Sequence, residues 1–395
     1  MIKNTQENMS KLEEYINTRD FDEIKITDLV NYFAYKAGAN VECKKIDRIE
    51  NLVPLKKNVL FVLVDGLGAY KVADLNEESI LRKNLVAAID TVNPTSTACV
   101  LTTICSGKEP SEHGIFGWWN YSKEKNLEYY PILFKERNTG IDLKEKGIDV
   151  SDIFKFDNIF DKFKCEVNVY MKREYINSEF SKMFAGRKSN RFGCYSIKEA
   201  FTKIDNKLSV TSKPSFNYLY ISGLDKASHM YGTDSHEVSG IIKEVEDGLK
   251  LLNENHEDLT IVVTADHGQV DMTKYIYLNQ NSDYTKYFYA NPSIDTRIIS
   301  FFVKDELKEE FETKFSNEFY EDVILLTKEE FVKLKILGEK EITKEAEDAL
   351  GEYIGIIVND KFLIGDKILL EDYIYTKGNH SGIDKFETNI PLIVI

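Results

Sequence analysis

The stretch NVLFVLVDGLG, residues 58–68, decides the fold. After Asn58 its apolar residues run without alternation, the pattern of a strand buried on both faces in a parallel sheet. The run stops at Asp65-Gly66. Open α/β sheets place their sites beyond the C-terminal ends of such strands, so a carboxylate there is a candidate site residue.

Two further runs have the same shape. Residues 217–221 (NYLYI) lead to Asp225, and residues 259–264 (LTIVVT) lead to Ala265-Asp266-His267-Gly268. Strands are also predicted at 85–89, 167–171, 297–303 and 391–395. A helix over 237–253 carries apolar residues at Val238, Ile241, Ile242, Val245, Leu249 and Leu252. Alternating strands and helices predict an α/β fold with a mostly parallel central sheet flanked by helices. Residues 1–57 read as a peripheral helical extension, with helices over 9–16 and 26–35 and Ser10 and Thr27 as caps. The unit 58–395 then carries a cap insertion at about 116–215 and a small second lobe at about 275–350. The charged run 305–346 reads as solvated helical faces.

Composition narrows the function classes. The chain has 395 residues, 43% hydrophobic and 12% aromatic, enough for a large core. A net charge of −15 argues against a nucleic-acid scaffold. It would also repel a phosphate unless bound divalent cations reversed the local field. Five cysteines without a CxxC pair fit a reduced, cytoplasmic compartment. The polar N-terminus and the lack of any apolar stretch of ~18 residues predict neither secretion nor membrane insertion.

The chain has six histidines, and three of them, His229, His267 and His380, sit in short polar motifs near an Asp or Gly. In DKASH, Asp225 and His229 are four apart, so one helical turn points both at one ion. Asp266 and His267 are adjacent, but the chain turns at a strand end and both can converge there. Asp65 can join from its own strand, and His380, in GNHSG, from a distant loop. Each motif alone has even odds of being structural; together they predict a metal cage.

The segments VLVDGLG (62–68), NPTSTA (93–98), SGKEPSEHGI (106–115), LDKASHMYG (224–232), TADHG (264–268), and NHSG with the closing IPLIVI resemble, in order, the alkaline phosphatase superfamily. The branch they resemble is the type I phosphodiesterase/nucleotide pyrophosphatases, and the likeness spans residues 58 to 395. It implies one metal on Asp65, Asp266, His267 and Thr97, and a second on Asp225, His229 and His380. It places Thr97 as the nucleophile and His113 in a structural turn. Ions on both sides would activate the threonine hydroxyl and clamp the leaving oxygen. Mixed Asp/His ligation favours Zn²⁺, with Mn²⁺ as the alternative. The family's phosphate-binding asparagine after the HGI turn is Trp118 here. Asn120 and the Ala98 backbone N–H are the candidates to replace it, and Trp118-Trp119 could stack on a nucleobase or wall the pocket.

Simpler readings stand beside these. Asp65 could be a turn residue, and Thr97 a helix cap with Ser96 or Thr95 as nucleophile. Cys99 and Cys105 read as small core residues, His236 as an exposed helix start and His256 as loop. The leading expectation is hydrolysis of phosphate diesters or nucleotide pyrophosphates, with a small phosphorylated substrate such as a nucleotide. A phosphomonoesterase or phosphonate hydrolase on the same metals is the alternative, and an inactive nucleotide-binding sensor is the non-enzyme reading.

Overall fold

The computed structural model describes residues 4–18, 23–365 and 375–395. Its centre is a seven-stranded sheet. From one edge the strands are Leu85–Asp90, Asn389–Val394, Leu259–Thr264, Asn58–Val64, Ser215–Ile221, Glu166–Lys172 and Asn190–Cys194. Asn389–Val394 runs antiparallel to both its neighbours, and the remaining pairings are parallel. All seven residues of Asn58–Val64 are buried, as its unbroken apolar run requires.

Register brings the strand ends level. Val64 pairs with Ile221 and Leu63 with Thr264, so Asp65, Asp225 and Asp266 all leave the sheet on one rim. Helices Thr97–Ser106, Ile197–Val210 and His236–Asn255 bury apolar faces in the core around this sheet. A second, antiparallel sheet orders Phe288–Ile294, Ile298–Val303, Tyr353–Ile357 and Val323–Thr327. This sheet reaches past the lobe boundary expected at 350.

Three expectations are revised. The stretch 116–215 is not wholly a cap, because Glu166–Lys172 and Asn190–Cys194 extend the central sheet. Only the small sheet of Asn120–Ser122, Leu127–Tyr130 and Lys135–Glu136 stands apart from it. The N-terminal extension is not peripheral: Phe33 packs on Phe61 and Phe216 in the main core. Ser10 lies inside the helix Gln6–Thr18, and Thr27 is buried in the helix Ile26–Lys36, so neither is a cap. The Lys25 N–H instead donates to Asp28, at 3.0 Å. A single-chain pattern cannot distinguish a helix's first polar residue from one a turn inside it.

Candidate active site

The rim collects the six expected carboxylate and imidazole side chains. Nε2 of His267 lies 3.5 Å from Oδ1 of Asp65 and 3.6 Å from Oδ2 of Asp266. Nε2 of His229 lies 3.2 Å from Oδ1 of Asp225, and that oxygen is 3.5 Å from Nε2 of His380. The His267 and His380 rings stack with centroids 3.7 Å apart, which joins the two halves. Asp225 faces both halves: its carboxylate groups with His229 and His380, and also with Asp65 and His267.

Backbone geometry makes this convergence possible. Gly66, at φ +80°, lets the chain turn directly beside Asp225; a β-carbon there would stand 3.1 Å from the Asp225 Cα. The Gly66 N–H donates to Oδ1 of Asp266 at 3.1 Å, and the His267 N–H to the same oxygen at 3.0 Å. At Gly268 a β-carbon would lie 1.9 Å from the Phe386 carbonyl, so no larger residue fits after the Asp-His pair.

The donor set fits divalent cations on two observations. Oδ1 of Asp65 and Oδ2 of Asp266 are buried without a hydrogen-bond partner. Buried carboxylate oxygens are otherwise paired, because leaving one bare is costly. Each of the three histidines also spends Nδ1 on a backbone carbonyl: His267 on Gly268 at 3.0 Å, His229 on Gly378 at 2.7 Å and His380 on Thr95 at 2.7 Å. With Nδ1–H donating, each Nε2 keeps its lone pair for the site.

Electrostatics without cations shows the strain of the cluster. Burial, then Asp266 and Asp225, pushes Asp65 well above the usual carboxylate range. Burial also works upward on Asp225, but the nearby His229, His380 and His267 outweigh it and hold that carboxyl low. For His229 burial opposes the charge, and Asp225 and the Gly378 carbonyl overcome it, raising the imidazole. Burial and the facing His267 push His380 well below its ordinary value.

Thr97 opens the helix Thr97–Ser106, and its Oγ1 is 3.2 Å from Nε2 of His267. The two competing hydroxyls are engaged elsewhere. Thr95 donates to the Gly382 carbonyl at 3.0 Å and accepts from the Ser381 N–H at 3.0 Å, which ties the His380 loop to this segment. Ser96 donates to Asp295 at 2.7 Å and does not cap its own helix. The first N–H groups of an α-helix have no partner within it, and that of Ala98, next to Thr97, is one of them here.

Asn120 and the tryptophans fall differently. The Asn120 amide accepts from the Phe116 N–H at 3.1 Å and donates to the Gly117 carbonyl at 3.1 Å. With these two bonds it locks its own turn. Trp119 is buried, with the Arg137 guanidinium 5.0 Å from its ring. Half-buried Trp118 sits edge-on to Tyr130 at 6.2 Å. Both pack with Phe362 and Ile364 in one apolar cluster. His113, neutral and buried, bridges Thr103 and the Ile115 N–H, as a structural turn residue does.

Three supporting residues escaped the sequence reading. The Tyr220 hydroxyl donates to Oδ2 of Asp65, and the Gln269 amide donates to Oδ1 of Asp225. Tyr220 lies in the predicted strand and Gln269 directly follows the DHG turn, so proximity was the available signal. Asp295 is buried and receives Ser96 and the backbone N–H groups of Thr296 and Trp118. Burial raises its carboxyl while these donors oppose the rise. Nothing in SIDTR announces it.

Comparison with known proteins follows the same lines. The family model for type I phosphodiesterase / nucleotide pyrophosphatase matches residues 59–380. Murine ectonucleotide pyrophosphatase / phosphodiesterase 5 superposes with a TM-score of 0.65 at 15% identity, over 85% of this chain and 87% of that one. An inactive form of that murine protein, in complex with AMP, superposes at 0.64 and 15% identity, over 86% and 87%. Phosphonoacetate hydrolase from Sinorhizobium meliloti 1021, in complex with phosphonoformate, gives 0.60 at 17% identity, over 87% and 91%. No curated protein matches the sequence. Among the described residues no helix is long and apolar enough to cross a membrane.

Proposed function

The chain belongs to the type I phosphodiesterase/nucleotide pyrophosphatase family, and from that premise we propose that it hydrolyses phosphate diesters or nucleotide pyrophosphates through a phospho-threonine formed on Thr97. The observation that carries this reading is the pair of bare, buried oxygens on Asp65 and Asp266, gathered with the Thr97 hydroxyl around Nε2 of His267.

Asp65, Asp266 and His267 would hold one divalent ion with Thr97, and Asp225, His229 and His380 a second; Zn²⁺ suits the donors best and Mn²⁺ next. When bound, the pair supplies Lewis acidity that lowers the Thr97 hydroxyl pKa and stabilises the leaving oxygen. The protein does the rest. Tyr220 and Gln269 orient the Asp65 and Asp225 carboxylates, and the three carbonyls on Nδ1 fix the imidazoles. The Ala98 N–H and its neighbours at the helix start would donate to a phosphoryl oxygen as it gains charge. Attack by Thr97 Oγ1 on phosphorus displaces the first alcohol or phosphate, and water then cleaves the Thr97 ester.

The phosphonate hydrolase among the structural relatives favours a second reading, cleavage of a phosphonate or monoester on the same cage. Turnover of bis-p-nitrophenyl phosphate, p-nitrophenyl phosphate and phosphonoacetate with Zn²⁺ or Mn²⁺ separates them. A diester preference supports the first reading, and a preference of several orders of magnitude for the others replaces it. Thr97→Ala is expected to lose at least ~10³-fold in kcat. Full retained activity would remove Thr97 as nucleophile.

A further inference from the structure

The rim does not end at the cage. Lys172 pairs in register with Cys194, and its strand runs parallel to Ser215–Ile221. Arg173 and Tyr195 therefore leave the sheet on the same side as Asp65. With strands ~4.8 Å apart, Arg173 lies about 10 Å along the rim from the Asp65 strand, and Tyr195 about 14 Å. Tyr175 spans the gap, close to Ser222 and within electrostatic reach of Asp65.

This outer part of the rim sets two cations, Lys172 and Arg173, among aromatic rings and the carboxylates of Glu174 and Glu199. The Arg173 guanidinium lies 5.0 Å from the Tyr195 ring centroid, and Tyr195 is 75% exposed. The Lys172 ammonium lies 5.8 Å from the Tyr175 ring. Glu199, whose carboxylate accepts from the Tyr195 N–H at 2.6 Å, lies within electrostatic reach of Arg173. Glu174, which follows them in sequence, is drawn to the Tyr175 hydroxyl. Stacking holds a guanidinium in place while leaving its N–H edge free for an anion.

We propose that Lys172 and Arg173, with Arg173 set by Tyr195, bind a second phosphate of the substrate, carried on the substituent beyond the attacked phosphoryl group. The assignment rests on the phosphoryl-hydrolase reading above, and it selects bisphosphorylated substrates over those with uncharged substituents. The strand separation of about 10 Å, shortened by the reach of a long cationic side chain, suits two phosphates held one nucleoside apart.

Calorimetric titration of the Zn²⁺-loaded protein with adenosine 5′-monophosphate and adenosine 3′,5′-bisphosphate tests it without turnover. The bisphosphate is expected to bind ~tenfold tighter or better. The double variant Lys172→Met/Arg173→Gln is expected to bring the two affinities together. Arg173→Lys should keep most of the preference, and so should Lys243→Ala, which removes a charge on an outer helix. Equal affinities in the unaltered protein, or a preference surviving the double variant, overturn the proposal. Preferential binding without hydrolysis of any phosphate ester would uphold this pocket and sink the hydrolase reading; hydrolysis without the preference would do the reverse.

Discussion

Replacing Asp65 by asparagine should move the cation-free and cation-loaded proteins in opposite directions. The amide keeps an acceptor for the Tyr220 hydroxyl and nearly the same volume. It removes the charge that burial, Asp266 and Asp225 make unfavourable, so the cation-free protein should melt higher. The sign follows from linkage: a carboxyl raised in the folded state is a cost that appears as pH climbs through its folded pKa. Cation-free Asp65→Asn should thus lose less stability with rising pH than the unaltered protein. With Zn²⁺ saturating, the variant would lack one of the proposed ligands. A ~100-fold weaker site is about 2.7 kcal/mol less stabilising. At roughly 2.1 cal/mol/K per residue, 395 residues unfold with about 0.8 kcal/mol/K, so the loaded form should melt about 3 °C lower. Scanning calorimetry of dialysed and Zn²⁺-loaded samples reads both. If the variant falls equally in both forms, Asp65 is a structural acceptor and the cage argument fails there.

Two further outcomes are expected. Asp295→Ala strands the Ser96 hydroxyl and two backbone donors; at about 1–3 kcal/mol each, the cost should be at least ~3 kcal/mol by denaturant unfolding, and Ser96→Ala should cost much less. His113, lowered to about 3 by burial and then by Lys108, stays neutral when folded. It should therefore cost stability as pH falls from about 6.5 toward its folded value, by up to ~1.4 kcal/mol per pH unit. His113→Gln should flatten that slope in a pH series of melts, and an unchanged slope would mean the ring is protonated in the native state.

How much of this was legible depends on range. Asn58–Val64 and Leu259–Thr264 were readable because a strand buried on both faces must be apolar at every position, a purely local demand. Asp65, Asp225, His229, Asp266, His267 and His380 were readable because each follows such a run or sits in a glycine-bounded turn. Asn190–Cys194 was not readable, since an edge strand of five residues, NRFGC, needs no apolar run. Its membership of the sheet comes from pairing with Lys172 and its neighbours.

The sequence by itself determined that a parallel α/β sheet would carry carboxylates and imidazoles at its strand ends, because burial and chain direction are written residue by residue. Only the tertiary structure decided how these residues act together. Register set Asp65 level with Asp225 and Asp266, and a loop more than a hundred residues away brought His380 against His267. Partners chosen in three dimensions turned Thr95 and Ser96 aside and left Thr97 facing the cage. Asn120 shows the converse: its sequence position suggested a phosphate ligand, and two backbone hydrogen bonds bind it to its own turn. A hydrogen-bonding group goes to the partner nearest in space, and nearness in space is what a linear pattern does not contain.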